Sequence, residues 1–256
     1  MKIAFPVIFG EIDTLFIDQM NAAKKAGFEV ATVNENFNFN CSNETILYKG
    51  WILKPCEYTL MQENASKRNN TLIFSQEQYL RGNYISNWYN VLSKYTMKTE
   101  IIENPYEEKF ADFINNSDWK GFFLKDYVKS LKSTKGSLVR NVSEARSTIY
   151  DMEITRGEIE GGLVIRKETN LENEIRYFSY NGTVLSMNEY VPSIVTDIIK
   201  SFEAAYPADH FISIDIATNT DTGNLILVEI GDGQVSDPVD WDYDTFYEQL
   251  FILRNN

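Results

Sequence analysis

The sequence predicts a mixed α/β (α+β) chain, with a small open α/β domain first and a strand-rich α+β region after it. Three observations carry that expectation. From the N-terminus, apolar strand-like runs alternate with amphipathic helical stretches, the mark of an open α/β sheet. Asn104-Pro105 and the polar stretch to Asp118 then interrupt the alternation, so the domains are expected at 1–117 and 118–256. Near the C-terminus, two apolar strand-like segments carry carboxylates. FISIDIA (Phe211 to Ala217) holds Asp215, and NLILVEIGDG (Asn224 to Gly233) holds Glu229 and, near its end, Asp232.

Taken in order, KIAFPVIF reads as the first strand, and Glu11 to Ala26 as a helix with Ile12, Phe16, Met20 and Ala23 on one face. Gly27 stands where a helix C-terminus is expected. FEVATV, TILYKGWIL and TLIF (Thr71 to Phe74) are further strands. Tyr84 to Tyr95 is a helix whose apolar face holds Trp88, Val91, Leu92 and Tyr95, and TEIIE is a short strand. Beyond the boundary, the strand GFFLKDYV leads into the basic loop KSLKSTKGS. Ser143 is placed to cap a helix running to about Arg156. GGLVIRKE and ENEIRYFSY are strands, and Asn181-Gly182 is a strong hairpin signal before TVLSM. Pro192-Ser193 opens a helix striped with Ile194, Ile198, Phe202 and Tyr206. The two carboxylate strands follow, joined by the polar turn Asn219 to Gly223, and an acidic-aromatic tail closes the chain.

Composition narrows the function. At 256 residues, 43% hydrophobic and 14% aromatic, the chain can bury a sizeable core. A net charge of -13 argues against broad electrostatic binding to nucleic acid or to an anionic membrane. No window approaches the roughly 18 apolar residues of a membrane span. Glu11 and Asp13 break the apolar N-terminus, which reads as a buried strand and not as a signal peptide. Two cysteines, Cys41 and Cys56, suit free thiols in a reducing compartment, so a cytoplasmic location is expected. His210 is the one histidine, which excludes a His-rich zinc site and leaves any Ser-His-Asp or Cys-His arrangement to a single residue better suited to a structural role.

The chemistry is expected around three groups of charges in apolar surroundings. Asp215 and Glu229 are fourteen residues apart, and adjacent antiparallel strands would bring both to the same end of a sheet. An unpaired charge in such a run is expensive. Oxygen ligation of a dication such as Mg²⁺ would remove the cost, and so would a nearby Lys or Arg. From Lys125 to Arg140 the chain holds Lys125, Lys129, Lys132, Lys135 and Arg140 against one acid, Asp126. A cationic, glycine-containing loop is a natural cover for polyphosphate, although loop lysines are as often simply solvated. Lys125 differs, because it lies inside the apolar run FFLK and must find a partner. Arg166 and Arg176 lie in the strands VIRKE and EIRYF. Two guanidiniums on neighbouring strands can clamp an anion, or form a cross-strand ladder with Glu168 and Glu174. No GxxxxGK[ST] or GxGxxG loop is present. Lysine first, a paired-arginine strand region second and carboxylates last reads as a site for a Mg²⁺-bound nucleoside triphosphate.

FFLKDYVKS, then GGLVIRKE…LENEIRYFSYNGTVLS, then SIDIA…GNLILVEIGDGQVSD resembles the ATP-grasp superfamily, and more narrowly its R2K clade, named for two arginines and a lysine. The resemblance is close over roughly residues 119 to 240, and the N-terminal third is similar to the α/β domain that precedes an ATP-grasp module. It implies an ATP-grasp fold of two α+β subdomains with nucleotide between them, and ATP and Mg²⁺ as cofactors. Lys125 would contact the adenine or α-phosphate side, and Lys129 the nucleotide. VIRKE, with Lys167, would be the hinge, and Glu168 would meet the ribose hydroxyls. Arg166 and Arg176, with Lys125, would be the catalytic cations, facing phosphate or an acyl phosphate. Asp215, Glu229 and Asp232 would be the metal ligands. Many members end the metal motif Glu-X-Asn, whereas the third position here is Gly231, with Asp232 or Gln234 as the candidate replacement.

The implied activity is an ADP-forming carboxylate-amine ligase working through an acyl phosphate, with a peptide or protein among the candidate substrates. The alternatives are a small-molecule kinase and a non-catalytic ATP-binding module, the last favoured by Gly231. In the N-terminal domain Trp51, Trp88 and Tyr89 are candidate surface aromatics or core. The tail from Asp237 to Asp244 is a candidate cationic-substrate contact or a solvated edge.

Overall fold

The computed structural model describes residues 1–128, 137–187 and 190–255. The lysine loop expected to cover polyphosphate, with Lys129, Lys132 and Lys135, lies outside the described residues.

Strand β1 (Lys2–Ile8) turns at Phe9-Gly10 into β2 (Glu11–Ile12). A 3-10 turn at Thr14–Phe16 then leads into α1 (Ile17–Ala26). The helix expected from Glu11 starts only at Ile17, because Glu11 and Ile12 pair with Ile8 and Val7, and Asp13 caps the 3-10 turn by accepting the Leu15 amide. Gly27 closes α1 in the left-handed region at φ 105°. The strands β3 (Glu29–Asn34) and β4 (Thr45–Tyr48) both run parallel to β1. Helix α2 (Pro55–Ser66) was not legible as a helix, yet Pro55 opens it and the Glu57 carboxylate accepts the Lys54 amide at 2.7 Å, a sound N-terminal signal. β5 (Thr71–Leu72) runs parallel to β4, and α3 (Gln76–Asn83) and α4 (Ile85–Leu92) follow.

Beyond β6 (Thr99–Ile102) the stretch expected to be a polar boundary contains α5 (Glu108–Asn116), which buries Phe110 and Ile114. Next come β7 (Phe122–Asp126), β8 (Leu138–Val139) and α6 (Val142–Arg156). The cap of α6 is Asn141 and not Ser143: Asn141 is still extended, and its side chain accepts the Glu144 amide at 2.9 Å. β9 (Leu163–Lys167) is followed by the β10 (Leu171–Tyr180) and β11 (Thr183–Leu185) hairpin. Asn181 and Gly182 turn it at φ 46° and 79°, as a type I′ turn requires. The chain ends with α7 (Ser193–Ala205), β12 (Phe211–Asn219), β13 (Leu225–Asp232) and α8 (Tyr243–Asn255).

The chain divides into two compact units, residues 1–82, 176–215 and 229–256 in one and 83–175 with 216–228 in the other. In the first, β1 is apolar almost throughout because both its faces are covered. Ile3 and Phe5 join one core with α1 and with Phe246, Tyr247 and Leu250 of α8, while Ala4 joins another with Tyr58, Met61 and Ala65 of α2. His210 is buried here, with Nδ1 on the Ala208 carbonyl at 3.1 Å and its ring against Phe202, a structural setting. In the second unit the antiparallel sheet β6-β9-β7-β8 lays Ile102, Phe122, Leu124, Leu163 and Ile165 against α5 and α6. A further sheet runs in the order β11-β10-β12-β13. Cys41 and Cys56 are free thiols. Among the described residues, no helix is long and apolar enough to cross a membrane.

Candidate active site

In the first unit the carboxylates are set by the register of β12 and β13. A Cβ on Gly231 would lie 2.6 Å from the Ser213 hydroxyl, and one on Gly233 would lie 2.6 Å from the Phe211 ring. The Gly233 amide also donates to the Phe211 carbonyl at 2.7 Å. Phe211 and Ser213 therefore share a face with Gly233 and Gly231. Extended two residues along each strand, that register brings Asp215 and Glu229 to the same stretch of sheet. Their expected convergence on one stretch of sheet is what this register produces.

Asp215 is also forked by an arginine. Arg176 of β10 donates from Nε to Oδ1 at 2.7 Å and from Nη2 to Oδ2 at 2.6 Å, and its Nη1 donates to the Asp237 carbonyl at 2.9 Å. The Asp215 side chain is 5% exposed and that of Arg176 24%. A carboxylate this deep requires a partner of opposite charge, and the bidentate guanidinium supplies one. Arg176, Asp215 and Glu229 thus form a row across β10, β12 and β13.

Asp232 does not join that row. It follows Glu229 by an odd number of residues, so the pleat turns it to the opposite face. There it is buried, with Oδ1 accepting the Gln234 amide at 2.9 Å and the Gln234 side-chain amide at 3.1 Å, while Tyr58 donates to the other end of Gln234 at 3.3 Å. Burial pushes the Asp232 carboxyl up to about 8, against the lowering pull of the Gln234 hydrogen bonds and the Lys49 charge. Burial likewise pushes Lys49 down to about 8. Lys49 is 1% exposed and donates to the Ser236 carbonyl at 2.6 Å. It carries the same signal as Lys125, a single lysine inside an apolar run (TILYKGWIL), which sequence reasoning passed over. Gln234, the other candidate third ligand, is engaged on this same face.

The missing third position of the metal motif has a packing explanation. The Ser213 and Ser236 hydroxyls pair at 2.7 Å in the space that a side chain at Gly231 would need. Among the described residues no group of three or more His, Cys, Asp or Glu is gathered for a metal. Two hard carboxylates, Asp215 and Glu229, nevertheless fit Mg²⁺, which takes one or two protein carboxylates and fills its shell with phosphate oxygens and water.

In the second unit the cations lie on β7 and β9. Phe123 pairs with Arg166 and Lys125 with Val164, so Lys125 and Arg166 share the sheet face opposite the α5–α6 core. Both are buried, at 4% and 3% exposure. Arg166 donates to the Val228 carbonyl at 2.6 Å and to the Thr96 hydroxyl. Lys167 is exposed, and its amide donates to the Lys98 carbonyl. Glu168 pairs with Arg140 at 2.7 Å instead of with Arg166, over Gly121, where a Cβ would collide with both side chains. Nothing local in the sequence signals this partner of Arg140, which stands 28 residues further along the chain.

Residues 61–250 match the family model of the ATP-grasp domain, R2K clade family 3. Solved structures of the same architecture include D-alanyl-alanine synthetase A from Vibrio cholerae, at a TM-score of 0.68 and 10% identity over 99% of this chain and 98% of that one. They also include a D-alanine–D-alanine ligase from Bacillus anthracis complexed with ATP, at 0.61 and 10% identity over 100% and 98%. A Chryseobacterium gregarium RiPP-associated ATP-grasp ligase, complexed with ADP and a leader and core peptide, scores 0.58 at 13% identity over 99% and 96%. No curated protein matches the chain in sequence.

Proposed function

The chain belongs to family 3 of the R2K clade of ATP-grasp domains and has the fold of the ADP-forming ligases, and on that premise we propose that it is an ATP- and Mg²⁺-dependent ligase joining a carboxylate to an amine. The observation that carries the reading is the fork of Arg176 on Asp215, on the strand beside the one that carries Glu229. In a family defined by two arginines and a lysine, it supplies one clade arginine locked onto a carboxylate that has a second carboxylate beside it.

In the proposed reaction a substrate carboxylate oxygen attacks the γ-phosphorus of ATP and ADP leaves with the bridging oxygen. The amine nitrogen then attacks the acyl carbon, phosphate departs with the acyl-phosphate oxygen, and the nitrogen loses a proton. Asp215 and Glu229 are the proposed holders of Mg²⁺, which when bound would neutralise charge on the transferred phosphoryl group. Arg176 would fix the orientation of Asp215. Arg166, which donates to the Val228 carbonyl, is proposed as the second clade arginine. Lys125 is proposed as the nucleotide-facing lysine, with Lys129, Lys167 and Glu168 as further nucleotide contacts. A peptide or protein is the carboxylate class we propose, by analogy with the Chryseobacterium ligase.

Titration calorimetry of ATP with and without Mg²⁺, on wild type and Glu229→Gln, tests the reading. Mg²⁺-dependent binding weakened at least tenfold in the variant is expected. Absence of ATP binding to the wild type would overturn it.

A further inference from the structure

Where the parallel strands β1 and β4 end, four apolar side chains stand in solvent: Ile8 at 45% exposure, Phe9 at 93%, Leu15 at 65% and Trp51 at 45%. Asp13 is their hub. Its Oδ1 accepts the Leu15 amide at 3.1 Å and its Oδ2 accepts the Trp51 indole N–H at 2.9 Å, while the Trp51 ring stands edge-on to the buried Phe16 ring at 5.3 Å. The Asp13 amide donates to the Pro6 carbonyl at 3.2 Å, so the β1–β2 hairpin rises from the same hub with Phe9 at its tip. Phe9 is held at φ 52°, a left-handed conformation that glycine or asparagine adopts at less cost. A large apolar ring kept in solvent by a strained turn contributes nothing to the core, so its use lies elsewhere.

Within one unit the patch is tied to the segment that follows the Glu229 strand. β4 continues through Lys49 and Gly50 into Trp51. The Gly50 amide donates to the Gln234 carbonyl at 3.1 Å and Lys49 Nζ to the Ser236 carbonyl at 2.6 Å, both on the segment that leaves the Glu229 strand. Ligands of open parallel sheets bind at the carboxyl ends of the strands, which is where these side chains stand.

Resting on the ligase reading, we propose that Phe9, Leu15 and Trp51 select the amine substrate, and that it is an amino acid or peptide N-terminus carrying an apolar, best an aromatic, side chain. Size favours a single side chain over a protein. Four partly exposed residues offer on the order of 400 Å², about half of the ~800 Å² per partner of a stable protein interface. Charge favours an ammonium beside it, because the chain has no Lys or Arg between Lys2 and Lys24 while Glu11, Asp13 and Asp18 lie there.

The test is a titration of ¹⁵N-tryptophan-labelled protein with L-phenylalaninamide and with glycinamide. The Trp51 indole resonance is identified by its loss in Trp51→Phe. Phenylalaninamide is expected to shift that resonance and to bind at least tenfold more tightly than glycinamide. Phe9→Gly, which relieves the left-handed strain and leaves the core intact, should weaken phenylalaninamide about fivefold or more without changing MgATP binding by calorimetry. Equal binding of the two amides, an unmoved Trp51 resonance, or an unaffected Phe9→Gly variant would overturn the proposal. Because calorimetry reads the nucleotide separately, lost ATP binding would sink the ligase reading while the indole titration still reports on the patch.

Discussion

At Gly231 a hydrogen is all that fits, because the Ser213 and Ser236 hydroxyls lie 2.6 and 2.7 Å from where a Cβ would stand. Gly231→Ala is expected to cost about 1–3 kcal/mol in urea unfolding, and Gly231→Asn, which writes in the commoner motif, at least as much. A Gly231→Asn protein as stable as wild type would show that the pocket is not packed as described. At Arg176, substitution by Met removes the forked partner of buried Asp215 and should cost about 3 kcal/mol. Adding Asp215→Asn to that variant should recover much of the loss, and a double-mutant cycle in denaturant reads the coupling. Asp232 makes a pH prediction. Its folded pKa of about 8 lies above the ordinary 3.8, so its contribution to stability is intact below about pH 4 and is lost as pH rises toward 8. Asp232→Asn keeps the oxygen that accepts from Gln234 and removes the charge, so the slope of melting temperature between pH 4 and 8 should flatten. An unchanged slope would count against a carboxyl held neutral by burial.

At the scale of elements, the strongly patterned segments were legible and the weakly patterned ones were not. The Asn181-Gly182 hairpin, α7 after Pro192 and the two carboxylate strands form as expected, since turn chemistry and apolar alternation are local properties. α8 starts within the acidic run Asp237 to Asp244, whose charge masks a helix signal, yet Phe246, Tyr247 and Leu250 beyond it fall at helical spacing and are almost fully buried. The helix also fits closely against α1, with the Phe251 ring 3.1 Å from a Cβ position on Gly27. Phe246→Ala should therefore cost about 3–5 kcal/mol in urea denaturation, whereas a solvated tail would tolerate it within about 0.5 kcal/mol.

At the scale of the molecule, a net charge of -13 coexists with Lys125 and Arg166 buried on one sheet face and Arg176 beside the carboxylates. On the proposed reading these cations serve bound nucleotide and not a general affinity for polyanions. If MgATP binds the folded chain alone, saturation at a hundred times its dissociation constant should add about 2.7 kcal/mol of stability. Differential scanning calorimetry should then show a rise in melting temperature that disappears on chelating Mg²⁺ or in Glu229→Gln. A melting temperature indifferent to MgATP would remove the nucleotide site from the folded protein.

By itself the sequence determined the fold class and the family, because apolar periodicity, turn residues and the order of lysine, arginines and carboxylates are written along the chain. It also marked Asp215, Glu229, Lys125 and Arg176 as charges in apolar runs that had to be satisfied. Tertiary structure alone decided by what. Arg176 meets Asp215 across a separation of 39 residues, Arg166 reaches a backbone carbonyl of β13, and Glu168 turns to Arg140. The pleat divides Asp232 from Glu229, and the buried Lys49 lies on the Ser236 carbonyl. Burial obliges a charge to find a partner, but strand register and packing choose which one, and both arise from contacts that no local pattern encodes.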